Sequence, residues 1–542
     1  MPFGPQNRHE RVAAIADADL DMLIVGGGIN GVATARDAAM RGFKVACVER
    51  EDYAFGTSSR SSKLIHGGLR YLEQANFRLV FEGTHERATL REVAPHLVRP
   101  IPFLVPVYEG AKHGPLALGV GLWMYDTLAG KRRYGKHSRY APDDLVAREP
   151  ALRADGLRGG AIYYDCMTDD ARLCVENAVS AHEEGAIMLN RTSFIAPERD
   201  EDGRVIGATI RDELTGISAQ VKCRVLIHCA GPWTDEVLAA CGDDNGMLRN
   251  SKGVHLLFDH ARLPVQHAVV MSARADGRVV FAIPRGRVTL VGTTDTDYQD
   301  HPNNVRATRE DVDYLLETVQ HYFPQDPVGY DDVRATYAGL RPLVLDDSDS
   351  PYDVSREHTV VERDDGTVTI GGGKYTTYRR IADDVIKGAM KVMGLKRKDR
   401  PACPTREALL PGGMPLDELA AASQLADNGI ADDMRQHLVH TYGSRYADVA
   451  AGDSTRIIAG LPYTFGEIDF AVNEESALAV EDVLVRRIPI FYEAPEQGLE
   501  CVQAVADRMA GLLGWDAAKT SEQTAAYRHT VAVSQQWRSD PE

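Results

Sequence analysis

Three things are missing from this chain of 542 residues, and each absence removes a class of protein. It lacks an excess of basic residues: 61 lysines and arginines stand against 79 aspartates and glutamates, a formal net charge of −18. Contacts to a phosphate backbone need a basic face, so general nucleic-acid binding is excluded, while a local arginine cluster could still hold a small anion in a cleft. It lacks any run of 18 apolar residues, so no segment is expected to span a bilayer as a helix. It lacks paired cysteines: those at 47, 166, 174, 223, 229, 241, 403 and 501 form no C-x-x-C and no metal-ligand grouping with histidine. Reduced, mostly buried thiols and no metal centre are expected. The first twenty residues carry Arg8, His9, Glu10, Arg11, Asp17 and Asp19 and no apolar core, so a secretory signal is excluded and a cytoplasmic protein is expected. No internal repeat is present. The remaining composition, 44% hydrophobic and 26% charged, is that of a globular protein long enough for about two to four domains.

The organising stretch is residues 21 to 49. Asp21 to Val25 reads as a buried parallel strand, followed at once by Gly26-Gly27-Gly28-Ile29-Asn30-Gly31, a G-x-G-x-x-G turn. Gly26 permits the tight exit from the strand, Gly28 leaves room for a pyrophosphate against the backbone, and Gly31 lets the next helix pack on the sheet. That helix, about Ile29 to Arg41, would aim its free N–H groups and positive dipole end at the phosphates. A second strand, Phe43 to Val48, ends in Glu49, placed to grip a ribose hydroxyl pair. The combination predicts a dinucleotide site.

Next comes a run rich in hydroxyls: Gly56-Thr57-Ser58-Ser59-Arg60-Ser61-Ser62-Lys63-Leu64-Ile65-His66-Gly67-Gly68-Leu69-Arg70-Tyr71-Leu72-Glu73. It suits a loop that binds a polar ligand through side chains and backbone N–H groups; a solvated Ser-rich linker is the alternative. Together with Phe77-Arg78-Leu79-Val80 and the glycine fingerprint, this run resembles the FAD-dependent, quinone-linked glycerol-3-phosphate dehydrogenases. Later matches extend the resemblance from about Asp21 to beyond Arg487.

Further along, residues 74 to 98 are predicted as a helix, 99 to 108 as a Pro-interrupted strand, and Asp169 to Glu184 as a helix capped at Thr168 or Asp169. Residues 187 to 222 read as two short strands. Val225 to Trp233 reads as a buried strand ending in a small-residue turn at Ala230 and Gly231. Residues 251 to 298 alternate as an antiparallel sheet, and a strand at 368–370 runs through Gly371-Gly372-Gly373-Lys374-Tyr375-Thr376 into a helix reaching about Gly394. Pro401, Pro404, Pro411, Gly412 and Gly413 mark a boundary, beyond which helical periodicity points to a separate domain with a frayed polar end.

The fold class expected is α/β: a Rossmann-like, two-dinucleotide-binding-domain flavoprotein with an antiparallel-sheet substrate domain and a C-terminal helical domain. Residues 1–20 would be an N-terminal extension. FAD-binding segments, about 21–100, 160–240 and 350–400, would alternate with substrate segments, about 101–159 and 241–349, before a helical domain at 401–542.

The resemblance implies FAD as cofactor, held by Gly26, Gly28, Gly31, Glu49, Thr57, Ser58, Ser59, Ser62, Lys63, His66, Gly67, Gly68, Ala230, Gly231, Gly373, Lys374, Tyr375 and Thr376. It implies a substrate pocket of Arg70, Tyr71, His255, Arg341, Arg356 and Lys374. Arg341 and Arg356 suit a phosphate, since a guanidinium fork matches its oxygens and stays charged; a surface salt bridge is the alternative for either one alone. His255 would be the base and Lys374 would supply positive potential near the flavin, with Arg341 completing the catalytic set. The reaction implied is oxidation of glycerol 3-phosphate with electrons passed to a membrane quinone; a soluble oxidase using oxygen, or a structural flavin, are the alternatives. The oligomeric state is open, a homodimer being one alternative. Membrane contact would come from Lys112 to Tyr140, where an apolar, Trp-containing segment meets Lys131, Arg132, Arg133, Lys136, His137 and Arg139, a peripheral anchor for the inner face of the cytoplasmic membrane.

Overall fold

The computed structural model describes residues 3–345, 357–424 and 430–541. Two sheets carry the site. In the first, the strands Thr367–Gly372, Ser218–His228, Asp19–Val25, Val45–Val48 and Ile187–Leu189 lie side by side, all parallel, with His358–Glu362 antiparallel at one edge. The organising strand, Asp19–Val25, is central because Met22 to Ile24 are fully apolar and wholly buried, as a strand covered on both faces must be. The helices Ile29–Met40, Asp170–Glu183 and Tyr378–Val392 cover one face and share one apolar cluster with the sheet.

The second sheet has ten strands and roofs the first region. Its centre is Leu248–Asp259, paired antiparallel with both Val288–Gly292 and Val333–Val344. Arg99–Tyr108 and Leu157–Met167 extend it, so segments distant in sequence build one cap. Asp169 caps the following helix by accepting from the Arg172 N–H at 3.1 Å.

Three expectations need correction. The helix expected over 74–98 runs only from Phe77 to Val93, because Asn76 caps it by accepting from the Leu79 N–H. Residues 187–222 hold more than two strands: Ile187–Leu189, Thr192–Arg199, Val205–Asp212 and the start of Ser218–His228. Ser218–His228 is one long strand whose first half alternates exposed and buried residues against its antiparallel neighbour and whose last residues, all buried, join the parallel sheet. The change of pattern marks a change of partner, not a strand end.

Residues 3–18 form an N-terminal extension that does not hang free of the first sheet. Phe3 is buried, Ile15 of the helix Arg8–Asp17 packs in the sheet's outer cluster, and Arg8 pairs with Asp212 at 2.7 Å. Nor is the C-terminus frayed. Trp537 is wholly buried in the cap's core and Asp540 accepts from Arg306, so one large aromatic outweighs a polar local composition. The C-terminal helices keep two small clusters of their own, but their main apolar cluster is shared with the cap sheet. They form the expected C-terminal helical domain, packed on the cap as a third layer.

Candidate active site

Between the two sheets lies a cavity of about 1250 Å³. At one end stands the glycine turn. Gly26 has φ +111°, and a Cβ there would fall 2.5 Å from the Cys229 carbonyl oxygen. A Cβ on Gly31 would sit 1.8 Å from the Gly26 oxygen, so Gly31 serves the helix–turn packing and is not on the cavity wall. Gly28 differs. It lines the cavity, and a Cβ there would meet no backbone, its nearest neighbour being the Ser58 hydroxyl at a tight 3.2 Å. Ser58 Oγ accepts from the Ile29 N–H at 2.9 Å, tying the hydroxyl-rich loop to the helix start.

Glu49 lies at the end of its strand, where its carboxylate accepts from the Gly27 N–H at 2.6 Å and the Glu51 N–H at 2.8 Å. Burial pushes it above the ordinary carboxylate range, and these two hydrogen bonds only partly offset that. Two of its four acceptor positions remain for a ligand's hydroxyls.

The loop from Gly56 to Gly68 divides into wall and support. Thr57, Ser58, Ser62, His66 and Gly68 line the cavity. Ser59, Lys63 and Gly67, expected as ligand contacts, do not. Lys63 is buried in an ion pair with Asp170 and donates to the Ser59 carbonyl at 3.1 Å. The Gly67 N–H is donated to Tyr125 Oη at 2.9 Å and to Asp165 at 3.2 Å. A lysine among serines looks like a ligand group in sequence, but its charge is matched by an aspartate more than a hundred positions away, which no local pattern reveals.

On the cap side, His255 faces the cavity from the central strand, stacked on Tyr337 at 4.7 Å and 16°. A Cβ on the opposed Gly292 would fall 2.1 Å from the imidazole, so that position is kept open for the ring. His255 Nε2 is 2.9 Å from Ser62 Oγ, while Nδ1 is buried with no hydrogen-bond partner among the described residues. Burial, followed by the charges of Arg341 and Lys63, drives its pKa well below 6.5, so the ring is neutral at neutral pH.

Arg341 lies on the neighbouring strand, its guanidinium donating to Thr293 Oγ1 at 3.0 Å and to Asp295 at 3.4 Å. Asp295, itself 8% exposed, also accepts from Ser251. Lys374 follows Gly373, which has φ +96°, and its ammonium lies 3.4 Å from the centre of the Tyr71 ring; the Arg70 guanidinium lies 5.7 Å from the same ring. Both line the cavity, as do Ala230, Gly231, Tyr375 and Thr376. Thr376 Oγ1 accepts from the His66 N–H at 3.1 Å. Arg356 lies outside the described residues.

Sequence reasoning passed over Arg60, Thr293, Asp295 and Trp233, which also face the cavity. Arg60 stands inside the hydroxyl-rich run and Asp295 lies in the irregular stretch after the strand Val288–Gly292; nothing local separated them from their neighbours.

Residues 21–379 match the family model "FAD dependent oxidoreductase", and 403–520 match "C-terminal domain of alpha-glycerophosphate oxidase". The aerobic glycerol-3-phosphate dehydrogenase of Staphylococcus saprophyticus is 34% identical, covering 98% of this chain and 97% of that protein. That of Staphylococcus aureus is 35% identical over 96% of each. The chain belongs to the aerobic, FAD-dependent glycerol-3-phosphate dehydrogenase family. The solved glycerol-3-phosphate dehydrogenase of Bacillus halodurans complexed with FAD superposes with a TM-score of 0.82 at 30% identity, covering 98% of each chain. The L-alpha-glycerophosphate oxidase of Mycoplasma pneumoniae, at 18% identity and a TM-score of 0.54, shares the fold over 72% of this chain.

FAD is therefore the cofactor, and the residues fit it. The open approach at Gly28, the half-used carboxylate of Glu49 and the volume of the cavity are each what such a group needs. Bound there, FAD supplies the hydride acceptor.

Proposed function

We propose that this enzyme oxidises sn-glycerol 3-phosphate at C2 to dihydroxyacetone phosphate and hands the electrons to a membrane quinone. The observation that carries the substrate is that one cavity holds cations, Arg341, Lys374 and Arg70, together with a buried neutral imidazole, His255. The cations bind the phosphate and steady developing negative charge; His255 takes the C2 hydroxyl proton as the hydride leaves. Asp295 and Thr293 hold the Arg341 fork in place. Relatives 34–35% identical over nearly the whole chain bear the name of this activity. Anaerobic addition of glycerol 3-phosphate should bleach the flavin; a flavin left oxidised would overturn the reading.

Arg341→Ala should raise KM for glycerol 3-phosphate roughly 10- to 100-fold, the loss of a charge-assisted contact of about 1.5–3 kcal/mol. Glycerol, which has no phosphate, should be turned over with little change. Equal effects on the two substrates would take Arg341 away from the phosphate.

The acceptor reading rests on the helix Pro115–Ala129. Leu122, Tyr125 and Ala129 are buried, whereas Leu116, Val120 and Trp123 are 76, 58 and 62% exposed, beside exposed Phe77 and Phe81 of the preceding helix. Among the described residues no helix is long and apolar enough to cross a membrane, so a lipid-soluble acceptor would have to be met at the surface. The helix also turns Ala117, Gly121 and Met124 to the cavity, which Val270 and Phe281 of the cap line as well, apolar walls that suit a quinone. Lys131, Arg133 and Lys136 follow it, exposed, with Arg132 half-buried. His137 is held by Asp126 at 2.8 Å, while Arg139, whose stem packs against Gly119, is exposed, so the basic group free for lipid is smaller than its sequence suggests by His137 alone.

Each basic residue near anionic lipid is worth about 1 kcal/mol. Changing Lys131, Arg132, Arg133 and Lys136 together to glutamine should release the protein from anionic vesicles in a sedimentation assay while turnover with a soluble acceptor survives. Undiminished vesicle binding would place the contact elsewhere. Comparing turnover with a quinone analogue against oxygen decides the acceptor.

A further inference from the structure

The segment from Glu49 to Phe55 shapes one end of the cofactor cavity. The Glu49 carboxylate holds the Gly27 N–H, the Ala54 N–H is donated to the Gly27 carbonyl at 3.1 Å, and a Cβ on Gly27 would fall 2.9 Å from the Tyr53 ring. Yet between these residues sits Asp52, a wholly buried carboxylate that makes no hydrogen bond to the glycine turn among the described residues. Asn190 Nδ2 donates to it at 3.3 Å, and its charged partners come from the C-terminal helical region. Arg487 grips it with two N–H groups, at 2.9 and 3.0 Å, and Arg486 Nε donates at 2.7 Å.

Both arginines are at most 2% exposed and are themselves fixed: Arg486 by Glu481 at 2.8 Å and Asp482 at 2.6 Å, Arg487 by the Glu475 carbonyl at 2.9 Å. Asp482 in turn pairs with Arg191, whose other arm reaches Glu51 at 2.7 Å. The Arg486 guanidinium also lies 5.6 Å from the Phe55 ring, which is on the cavity wall, with Arg60 at 5.5 Å from the same ring. Farther along the loop, Tyr492 Oη donates to the Ser59 carbonyl at 3.3 Å.

We propose that the C-terminal helical region is a cofactor-retention clamp: Arg486 and Arg487 hold Asp52, and through it the Glu49–Phe55 segment, in the shape that binds FAD. They are positioning residues, acting on the cofactor through Asp52 and Phe55. The alternative is that the network only glues the layers together. The two differ in what they spend. A buried carboxylate stripped of its arginines must find water or protonate, and the short segment that carries it, pinned to Gly27 on its other side, is what has to move.

The test uses full-length protein carrying Arg487→Met, Arg486→Met or Arg487→Lys, stripped of flavin and titrated with FAD by fluorescence. The methionine variants should bind FAD roughly tenfold or more weaker, and Arg487→Lys, which keeps the charge but loses the fork, should fall between them and wild type. At saturating FAD, KM for glycerol 3-phosphate should return to the wild-type value. Hydrogen exchange should quicken across residues 49–60 in the flavin-free variants and slow again on adding FAD. Arg306→Met, which breaks a pair between the cap and Asp540 of the same C-terminal region, is the control: it should lower the melting temperature and leave FAD affinity alone. A wild-type FAD affinity in variants with lowered melting temperature would overturn the clamp, as would an equal loss of affinity in the control. Should either methionine variant fail to fold, Arg487→Lys decides by the same readouts.

Discussion

Gly28→Val should fold, melt close to the wild-type temperature and emerge from purification with less than about a tenth of its FAD. The reason lies in what surrounds that position. A Cβ on Gly28 meets only Ser58 Oγ at 3.2 Å, the end of a small side chain, so the polypeptide can tolerate it. The space that a valine fills is the one a pyrophosphate needs to reach the backbone at the start of the helix Ile29–Met40. Gly31→Val is the contrasting case. Its Cβ would sit 1.8 Å from a backbone oxygen that cannot move without breaking the turn, and the cost of such overpacking is at least about 1–3 kcal/mol. That variant should lose stability as well as flavin. Stoichiometric FAD in Gly28→Val, or a Gly28→Val that melts as low as Gly31→Val, would mean that Gly28 serves packing instead of the cofactor. Absorbance at the flavin maximum and a melting curve on each variant settle it.

His255→Ala should slow anaerobic flavin reduction by glycerol 3-phosphate by roughly 10²-fold or more, the ordinary contribution of a positioned base. Its pH signature follows from the environment of the ring. Burial, then the charges of Arg341 and Lys63, disfavour the imidazolium, so the pKa is held well below 6.5. The neutral ring is the form that accepts a proton, so activity is present above that depressed pKa and is lost as pH falls through it. The acid limb of kcat/KM, which reports the free enzyme, should therefore lie below the usual histidine range, and His255→Ala should abolish that limb while leaving KM for the substrate within a few-fold. An unchanged pH profile in the variant would remove His255 as the base. Nδ1 is buried with no hydrogen-bond partner among the described residues, which leaves that lone pair or proton unassigned within the described fold.

How much of this was legible in the chain depends on the range of the interactions involved. The strand, glycine turn, helix and terminal Glu49 are specified within thirty residues, by apolar burial and by backbone shapes that only glycine adopts, and the structure places them as read. Tertiary structure decided everything that depends on a distant partner. Lys63 left the ligand wall because Asp170 neutralises it, and Arg341 was oriented because Asp295 and Thr293 arrive from the neighbouring hairpin. The polar C-terminus was ordered by a single tryptophan that finds the cap's core, and Asp52, silent in its own stretch, became the grip point for two arginines more than four hundred residues on. Charge pairing and burial act through space at a few ångströms regardless of separation along the chain. Local sequence therefore specified backbone shape and a dinucleotide site, while which side chains are spent on each other and which are left for a ligand was settled only when the layers closed.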